Sequence, residues 1–346
     1  MAGRRSSPPR QWSVLQPLPA PILVELAKQA EARGIHGVFA PQVYGPPFLP
    51  LAVAAGVTQS LQLATGIAIA AARSPFETAM AAIDMDRISG GRFTLGLGAS
   101  VLAWSHGVYG APEHKPLAYL RETVEAVRHI VKGAHQGLTP FEGEYYRADF
   151  KELSPTEPPL REEIPIWIAA LRAPAVRLAA RIGDGLIGHP MWSIDWAVNE
   201  MAPQLDATLA EAGRSRDEIE VNVWPWVAIN PNEAEAEAIE DARPTIAFYG
   251  GVKQYESFFA AHGFEDVARK LQEGVQRGDY KSVAHVIPDE MVRTFVAVGE
   301  PEKVREQIGR LDAIADSVCL VPPTYALSAE KLMYYSGMIA ETFPAN

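Results

Sequence analysis

Residues 61–100 read LQLATGIAIAAARSPFETAMAAIDMDRISGGRFTLGLGAS, and this stretch decides the fold class. It reads as strand, helix, strand. Leu61, Leu63 and Ile67 mark the first strand, which meets a small-residue patch at Thr65-Gly66. Ser74 is a good N-cap, Pro75 fills the first helical position, and Glu77 stands three residues past the cap. Phe76, Met80 and Ile83 recur at helical spacing. Gly90-Gly91 closes the helix, since positive φ is cheap only for glycine. The second strand, Phe93 to Leu97, runs into a side-chain-poor tip from Gly96 to Ser100. The pattern predicts one βαβ unit whose strand ends are bare enough for a flat cofactor to lie against the backbone.

Working outward, the same alternation continues. Strands are expected at Trp12–Leu15, Gly37–Ala40, Ile164–Ala169, Gly185–Gly188, Val221–Ile229 and Ser317–Val321. Helices are expected to open at Pro21, Pro50, Leu117, Pro174, Trp192, Glu302 and Ser328. Pro225 is an oddity within its strand and suggests an end or a bulge. Residues 132–163 are turn-rich, with a short hairpin expected around Glu144-Tyr145-Tyr146. Residues of about 231–300 break the rhythm, and two or three polar helices are expected there. Eight strands, each followed by helix, favour a closed parallel (β/α)8 TIM barrel over an open sheet. The expected organisation is a single domain over residues 1–346 with a helical insertion before the last strand.

The 346 residues suit an α/β barrel with insertions, and 48% hydrophobic with 21% charged residues is an ordinary globular composition. A net charge of −11 argues against nucleic acid as a partner, because that binding needs clustered cations. No uncharged apolar run of ~18–20 residues is present, so no membrane span is expected. A single cysteine, Cys319, allows no internal disulfide and fits a cytoplasmic location. The basic start, MAGRRSSPPR, reads as a frayed tail.

Few side chains bring their own reactivity. Gly96-Leu97-Gly98-Ala99-Ser100 lacks the third glycine of a dinucleotide fingerprint and reads as a glycine-rich strand end. The turn Ala169-Ala170-Leu171-Arg172-Ala173, between a strand and a helix, offers free N–H groups and an arginine to a phosphate. Pro190 pushes His189 toward extended backbone at a strand tip, which in a barrel is the catalytic face. Gln42, Tyr44, Trp104, His106 and Tyr109 follow the second and fourth strands and could line a pocket. No HExxH, CxxC, GxSxG or phosphate loop occurs, so no metal is expected. Cys319 sits mid-strand and reads as inert. A barrel this poor in reactive groups borrows reactivity from a cofactor.

Several motifs carry a resemblance. They are Glu31-Ala32-Arg33-Gly34-Ile35-His36-Gly37-Val38-Phe39, Ala64-Thr65-Gly66-Ile67, Arg73-Ser74-Pro75, Asp86-Arg87-Ile88-Ser89-Gly90-Gly91-Arg92-Phe93, Leu95-Gly96-Leu97-Gly98, Pro165-Ile166-Trp167-Ile168 and Gly183-Asp184-Gly185. In this order, with Val298-Gly299-Glu300-Pro301-Glu302-Lys303-Val304 near the end, they resemble the bacterial luciferase-like monooxygenase superfamily. The segment Ile246-Ala247-Phe248-Tyr249-Gly250-Gly251 is more similar to its F420-dependent branch. The resemblance implies a (β/α)8 barrel that carries a deazaflavin or flavin ring at the strand ends. It implies a bulge with a non-prolyl cis peptide at Gly66-Ile67. The cofactor-facing positions it implies are Gln42, Thr65, Gly66, Ile67, Leu97, Gly98, Ala99 and Ser100, with Ala169, Ala170, Leu171 and Arg172 at the phosphate.

Many relatives carry an Asp-His pair after the second strand, where this chain has Pro41-Gln42. That leaves His189, Tyr44 or His106 as the proton donor. The implied activity is hydride transfer between F420 and an apolar organic substrate. The alternatives are an FMN-dependent two-component monooxygenase and a cofactor-free ligand-binding protein. Dimerisation is common in the family, so a homodimer is expected.

Overall fold

The computed structural model describes residues 8–230, 235–275 and 280–345. Positions 1–7 of the expected frayed tail, and positions 231–234 and 276–279 of the expected insertion, lie outside the described residues, whereas Arg10, read as part of that tail, opens the first strand. In chain order the elements are β1 (Arg10–Val14), α1 (Ala20–Ala32), β2 (Gly37–Ala40), α2 (Phe48–Ala55), β3 (Gln62–Thr65), β4 (Ala68–Ile69), α3 (Pro75–Ser89), β5 (Phe93–Gly98), α4 (Leu102–Ser105) and α5 (Pro116–Gly133). Then come the hairpin β6 (Phe141–Glu142) and β7 (Arg147–Ala148), β8 (Ile166–Ala170), α6 (Ala173–Ile182), β9 (Gly185–Gly188), α7 (Ile194–Trp196), α8 (Ala202–Glu211), β10 (Glu220–Val223) and β11 (Trp226–Ile229). The remainder is α9 (Glu235–Gly250), α10 (Glu256–Ala261), α11 (Glu265–Val275), α12 (Tyr280–Val283), α13 (Asp289–Phe295), β12 (Val296–Gly299), α14 (Pro301–Gly309), β13 (Ser317–Cys319) and α15 (Ala329–Thr342).

The sheet order is β3-β2-β1-β13-β10-β9-β8-β5-β4, and β3 also pairs with β5. The order therefore returns to its start. With β3 and β4 as two halves of one strand, this is a closed (β/α)8 barrel of eight strands. The chain divides into two compact units. The first comprises Arg10–Ile187 and Gln204–Asn222; the second comprises Gly188–Pro203 and Val223–Ala345 with the described part of Met1–Pro9.

In the first unit, helix α3 follows its sequence signals closely. Ser74 Oγ accepts from the Glu77 N–H at 3.1 Å, and Gly90 closes the helix in the left-handed region at φ 66°. The segment that follows is structural. Arg92 ties α2, β3 and α3 together by donating to the carbonyls of Ala55, Thr58, Leu61 and Ser89 at 2.7–3.1 Å. Asp86, fully buried, is held by the guanidinium of Arg161, which also donates to the Phe93 carbonyl. Asp184 caps the start of β8, accepting from Ile166 N–H at 2.8 Å and from Arg128 at 2.9 Å. A Cβ on Gly185 would sit 2.3 Å from the Trp167 indole, so that ring requires glycine there. The DRISGGRF and GDG motifs thus build the scaffold.

In the second unit, three expectations are corrected. The strand expected over Val221–Ile229 is broken at Trp224-Pro225. Pro225 has no N–H to give a ladder, and beyond it β11 pairs in parallel with β12 while Trp226 keeps a parallel bridge to Val321, just past β13. The strand β12 was not expected. The segment expected to carry two or three polar helices holds five described ones, α9 to α13, and α9 buries Ile239, Ala242 and Ile246. The helix expected as one piece from Trp192 begins after the Ser193 cap. It passes through a π turn at Ala197–Met201 before Pro203, whose missing N–H forces the ladder to shift. Among the described residues no helix is long and apolar enough to cross a membrane.

Gly96→Ala is expected to lower the unfolding free energy by about 4 kcal/mol or more, because its Cβ would lie 1.9 Å from the Thr65 carbonyl oxygen. Asp86→Ala is expected to cost about 3–5 kcal/mol by stranding Arg161. Chemical denaturation of each variant checks both; a wild-type midpoint for either contradicts the packing described.

Candidate functional site

The end of β3 is not a simple strand end. Ala64 pairs with Thr94 and Ala68 with Leu97, so Thr65, Gly66 and Ile67 stand opposite only Leu95 and Gly96. One extra residue on the β3–β4 side makes a bulge. The Gly66-Ile67 peptide in it is cis, as the resemblance implies. Thr65 is fully buried and donates its hydroxyl to the Gly96 carbonyl at 2.7 Å. A Cβ on Gly66 would press on Phe39 at 2.7 Å, and one on Gly98 would meet Ile67 at 2.9 Å and Ala169 at 3.3 Å. The glycines therefore serve the chain's own packing, and the surface they leave open is formed by Ile67.

Gln42 holds this bulge. Its backbone N–H donates to the Ile67 carbonyl at 3.1 Å. Its side-chain Oε1 accepts from the Ile69 N–H at 3.0 Å and from Arg73 Nη1 at 3.2 Å. With Oε1 doubly engaged, the amide orientation is fixed and Nε2 is left as a donor. Arg73 lies over the Phe48 ring, with Cζ 5.2 Å from its centroid. Its side chain is 8% exposed, and its charged neighbour is the exposed Glu77 at 4.0 Å. Burial pulls the Arg73 pKa down while Glu77 and Tyr109 pull it up. The bulge thus presents donors in excess of acceptors.

Of the other sequence-predicted positions in the first unit, Thr65, Leu97, Gly98 and Ala170 are buried, whereas Gln42, Gly66, Ile67, Ala99, Ser100, Ala169, Leu171 and Arg172 reach the surface at least in part. Ser100 has φ 60°, a left-handed conformation uncommon outside glycine. The expected Ala169–Ala173 loop is shorter than read: β8 runs through Ala170 and α6 starts at Ala173, so Leu171 and Arg172 alone make the turn. No side chain caps α6. Tyr44, 80% exposed, stacks on Trp104 at 5.7 Å, and the Tyr109 hydroxyl donates to the Val43 carbonyl at 3.1 Å. These three aromatics come together as a wall. His106 turns away from them: its Nδ1 bonds the Ala111 carbonyl at 2.8 Å and its ring packs on His114. Elsewhere in this unit, a cavity of about 660 Å³ lies against the N-terminal end of β8, near Arg128, Lys132 and Asp184, and contains none of the predicted site residues.

In the second unit, His189 follows β9 directly. The Met191 N–H donates to its Nδ1 at 3.1 Å, which leaves the proton of the neutral ring on Nε2. Nε2 lies 3.2 Å from the Tyr255 hydroxyl. The ring meets Tyr249 edge-on at 5.4 Å. Burial depresses the His189 pKa to about 3 and pushes the Tyr255 and Tyr249 hydroxyls up. Tyr249, Tyr255 and Tyr325 were not among the predicted site residues. Aromatic density around Tyr249 was the one signal pointing there.

The luciferase-like monooxygenase family model matches residues 6–316. The chain belongs to the luciferase-like monooxygenase family. A putative coenzyme F420-dependent oxidoreductase of Mycobacterium tuberculosis is 33% identical over 91% of this chain and 93% of its own length. A 5,10-methylenetetrahydromethanopterin reductase of Archaeoglobus fulgidus is 30% identical over 75% of this chain and 76% of its own. The solved F420-dependent tetrahydromethanopterin reductase of Methanopyrus kandleri has the same fold, with a TM-score of 0.79 at 23% identity over 97% of this chain and 98% of that one. A type II Baeyer-Villiger monooxygenase of Pseudomonas putida, solved in complex with FMN, also has this fold, with a TM-score of 0.68 at 17% identity over 98% of each chain.

The depressed His189 pKa has a sign. Above pH 6.5 the ring is neutral folded or unfolded. As pH falls from 6.5 toward 3 the unfolded chain takes up a proton that the folded chain refuses, so stability drops. His189→Gln should flatten the slope of unfolding free energy against pH in that window, by at most about 1.4 kcal/mol per pH unit. An unchanged slope in denaturant titrations between pH 6.5 and 4 would contradict the burial of this ring.

Proposed function

We propose that this family member is an F420-dependent oxidoreductase that moves a hydride between the deazaflavin and an apolar organic substrate. The observation that carries this reading is the donor-rich bulge, where Gln42 Nε2 is fixed as a donor and Arg73 is a cation with little charge opposing it. Such a set suits the carbonyl-bearing pyrimidine edge that a deazaflavin shares with a flavin. The Mycobacterium tuberculosis relative, named a putative coenzyme F420-dependent oxidoreductase, supports the choice of cofactor.

Ile67, Ala99 and Ser100 would hold the ring, and the Leu171-Arg172 turn with the uncapped start of α6 would hold the phosphate. When bound, F420 supplies a two-electron hydride acceptor or donor. The chain's own residues bind, orient and exclude water. Gln42 fills the place where many relatives have an ionisable pair, so it contributes a hydrogen bond and no charge. The Tyr44–Trp104–Tyr109 wall suits an apolar substrate. Cys319 is fully buried and its thiol pKa is pushed well up, so it takes no part as a nucleophile.

Anaerobic titration with F420 and with FMN tests the reading. F420 should bind saturably with quenching of its fluorescence, and Gln42→Leu should weaken that binding about ten-fold. Saturable FMN binding without F420 binding, together with substrate turnover that requires dioxygen, would replace this reading with a flavin monooxygenase. Binding of neither would favour a ligand-binding protein.

A further inference from the structure

Between α4 and α5 the chain reads His106-Gly107-Val108-Tyr109-Gly110-Ala111-Pro112-Glu113-His114. It turns back at Gly110, where φ is 68°, and the Ala111 N–H donates to the Ser105 carbonyl at 2.9 Å. The turn brings the rings of His106 and His114 to 5.1 Å between centroids. Tyr119 packs on His114 at 4.5 Å. Tyr145 stands edge-on to His114 at 6.4 Å, and its hydroxyl accepts from the Lys115 N–H at 3.4 Å. All of these residues belong to the first unit.

Both imidazoles are held in one tautomer. His106 Nδ1 lies 2.8 Å from the Ala111 carbonyl oxygen, and His114 Nδ1 lies 2.7 Å from that of Pro112. A carbonyl only accepts, so each Nδ1 carries the proton and each neutral ring leaves a lone pair on Nε2. Neither Nε2 has a partner among the described residues, and neither is a buried atom, so both lone pairs are open to solvent. An Nδ1–H tied to a backbone carbonyl is the outer bond that orients a histidine toward a metal. The spacing of the rings fits one ion. With Nε2 about 2.0–2.1 Å from a zinc-like ion, each ring centre stands about 3.2 Å from it. Two such centres 5.1 Å apart subtend about 105° at the ion, close to the tetrahedral angle.

We infer that His106 and His114 form a site for a divalent transition-metal ion of the zinc class, bound through both Nε2 atoms. Imidazole nitrogen suits zinc, copper and nickel, whereas magnesium and calcium take oxygen ligands. Among the described residues no three His, Cys, Asp or Glu side chains gather as a metal cage, so water fills the remaining positions and the ion is exchangeable. The expectation of no metal rested on ligand motifs, and a pair eight residues apart across a turn matches none of them. The ion ties together the two ends of the turn that carries Tyr109. That residue's hydroxyl donates to the Val43 carbonyl and its ring packs near Trp104, so the metal steadies the aromatic wall.

Zinc titration of the whole chain, followed by ring-nitrogen NMR, tests this. In the metal-free protein the ring protons of His106 and His114 should sit on Nδ1. Zinc should bind saturably, shift both Nε2 resonances and leave both Nδ1 atoms protonated. Calcium at the same concentration should shift neither. His106→Gln and His114→Gln should each weaken zinc binding about ten-fold or more, with metal-free melting temperatures near the wild-type value. The wild-type spectra decide the matter even where a variant fails to fold. Ring protons on Nε2, no saturable zinc binding, zinc-induced shifts confined to other histidines, or wild-type zinc affinity in both variants overturns the assignment.

Discussion

The carbonyl oxygen of Thr65 lies where a side chain on residue 96 would begin. A Cβ there would be 1.9 Å from that oxygen, so β5 must present glycine for β3 to close onto it. The Thr65 hydroxyl then reaches the Gly96 carbonyl at 2.7 Å and fastens the two strands. Beyond this contact the β3–β4 side carries one residue too many, and the bulge follows. Around that bulge stand the surface of Ile67, the fixed amide of Gln42 and the cation of Arg73.

Much of the fold was legible because its signals are local. Ser74, Pro75 and Gly90 determine where α3 starts and stops, and Gly37–Ala40 and Gly185–Gly188 are strands within a residue of their expected limits. What stayed hidden depends on partners distant in sequence. Nothing near Trp226 says that it will pair with Val296 across seventy residues, and nothing near Val296 marks it as a strand separate from the helices around it. The strand break at Pro225 was signalled, but where the chain goes after it was not.

The site was legible in a different way. The resemblance implied the bulge with its cis peptide, which the structure has, whereas the glycines of the strand tip were read from the sequence pattern. Gly96 and Gly98 read as room for a cofactor; they are room for Thr65 and Ile67. His189 read as a lone titratable group at a strand tip. Its hydrogen-bonded neighbour Tyr255 is sixty-six residues away, and no spacing rule connects the two. Arg73 stood in a quoted motif without a role, because only burial reveals how little charge opposes it.

A crystal structure of the chain with bound F420 tests the central claim most directly. The account predicts the deazaflavin ring lying over Ile67, with Gln42 Nε2 donating to an acceptor on its pyrimidine edge and Arg73 beside it. A ring bound elsewhere, or one that reaches the bulge with Gln42 rotated away from Ile69 and Arg73, would contradict the account.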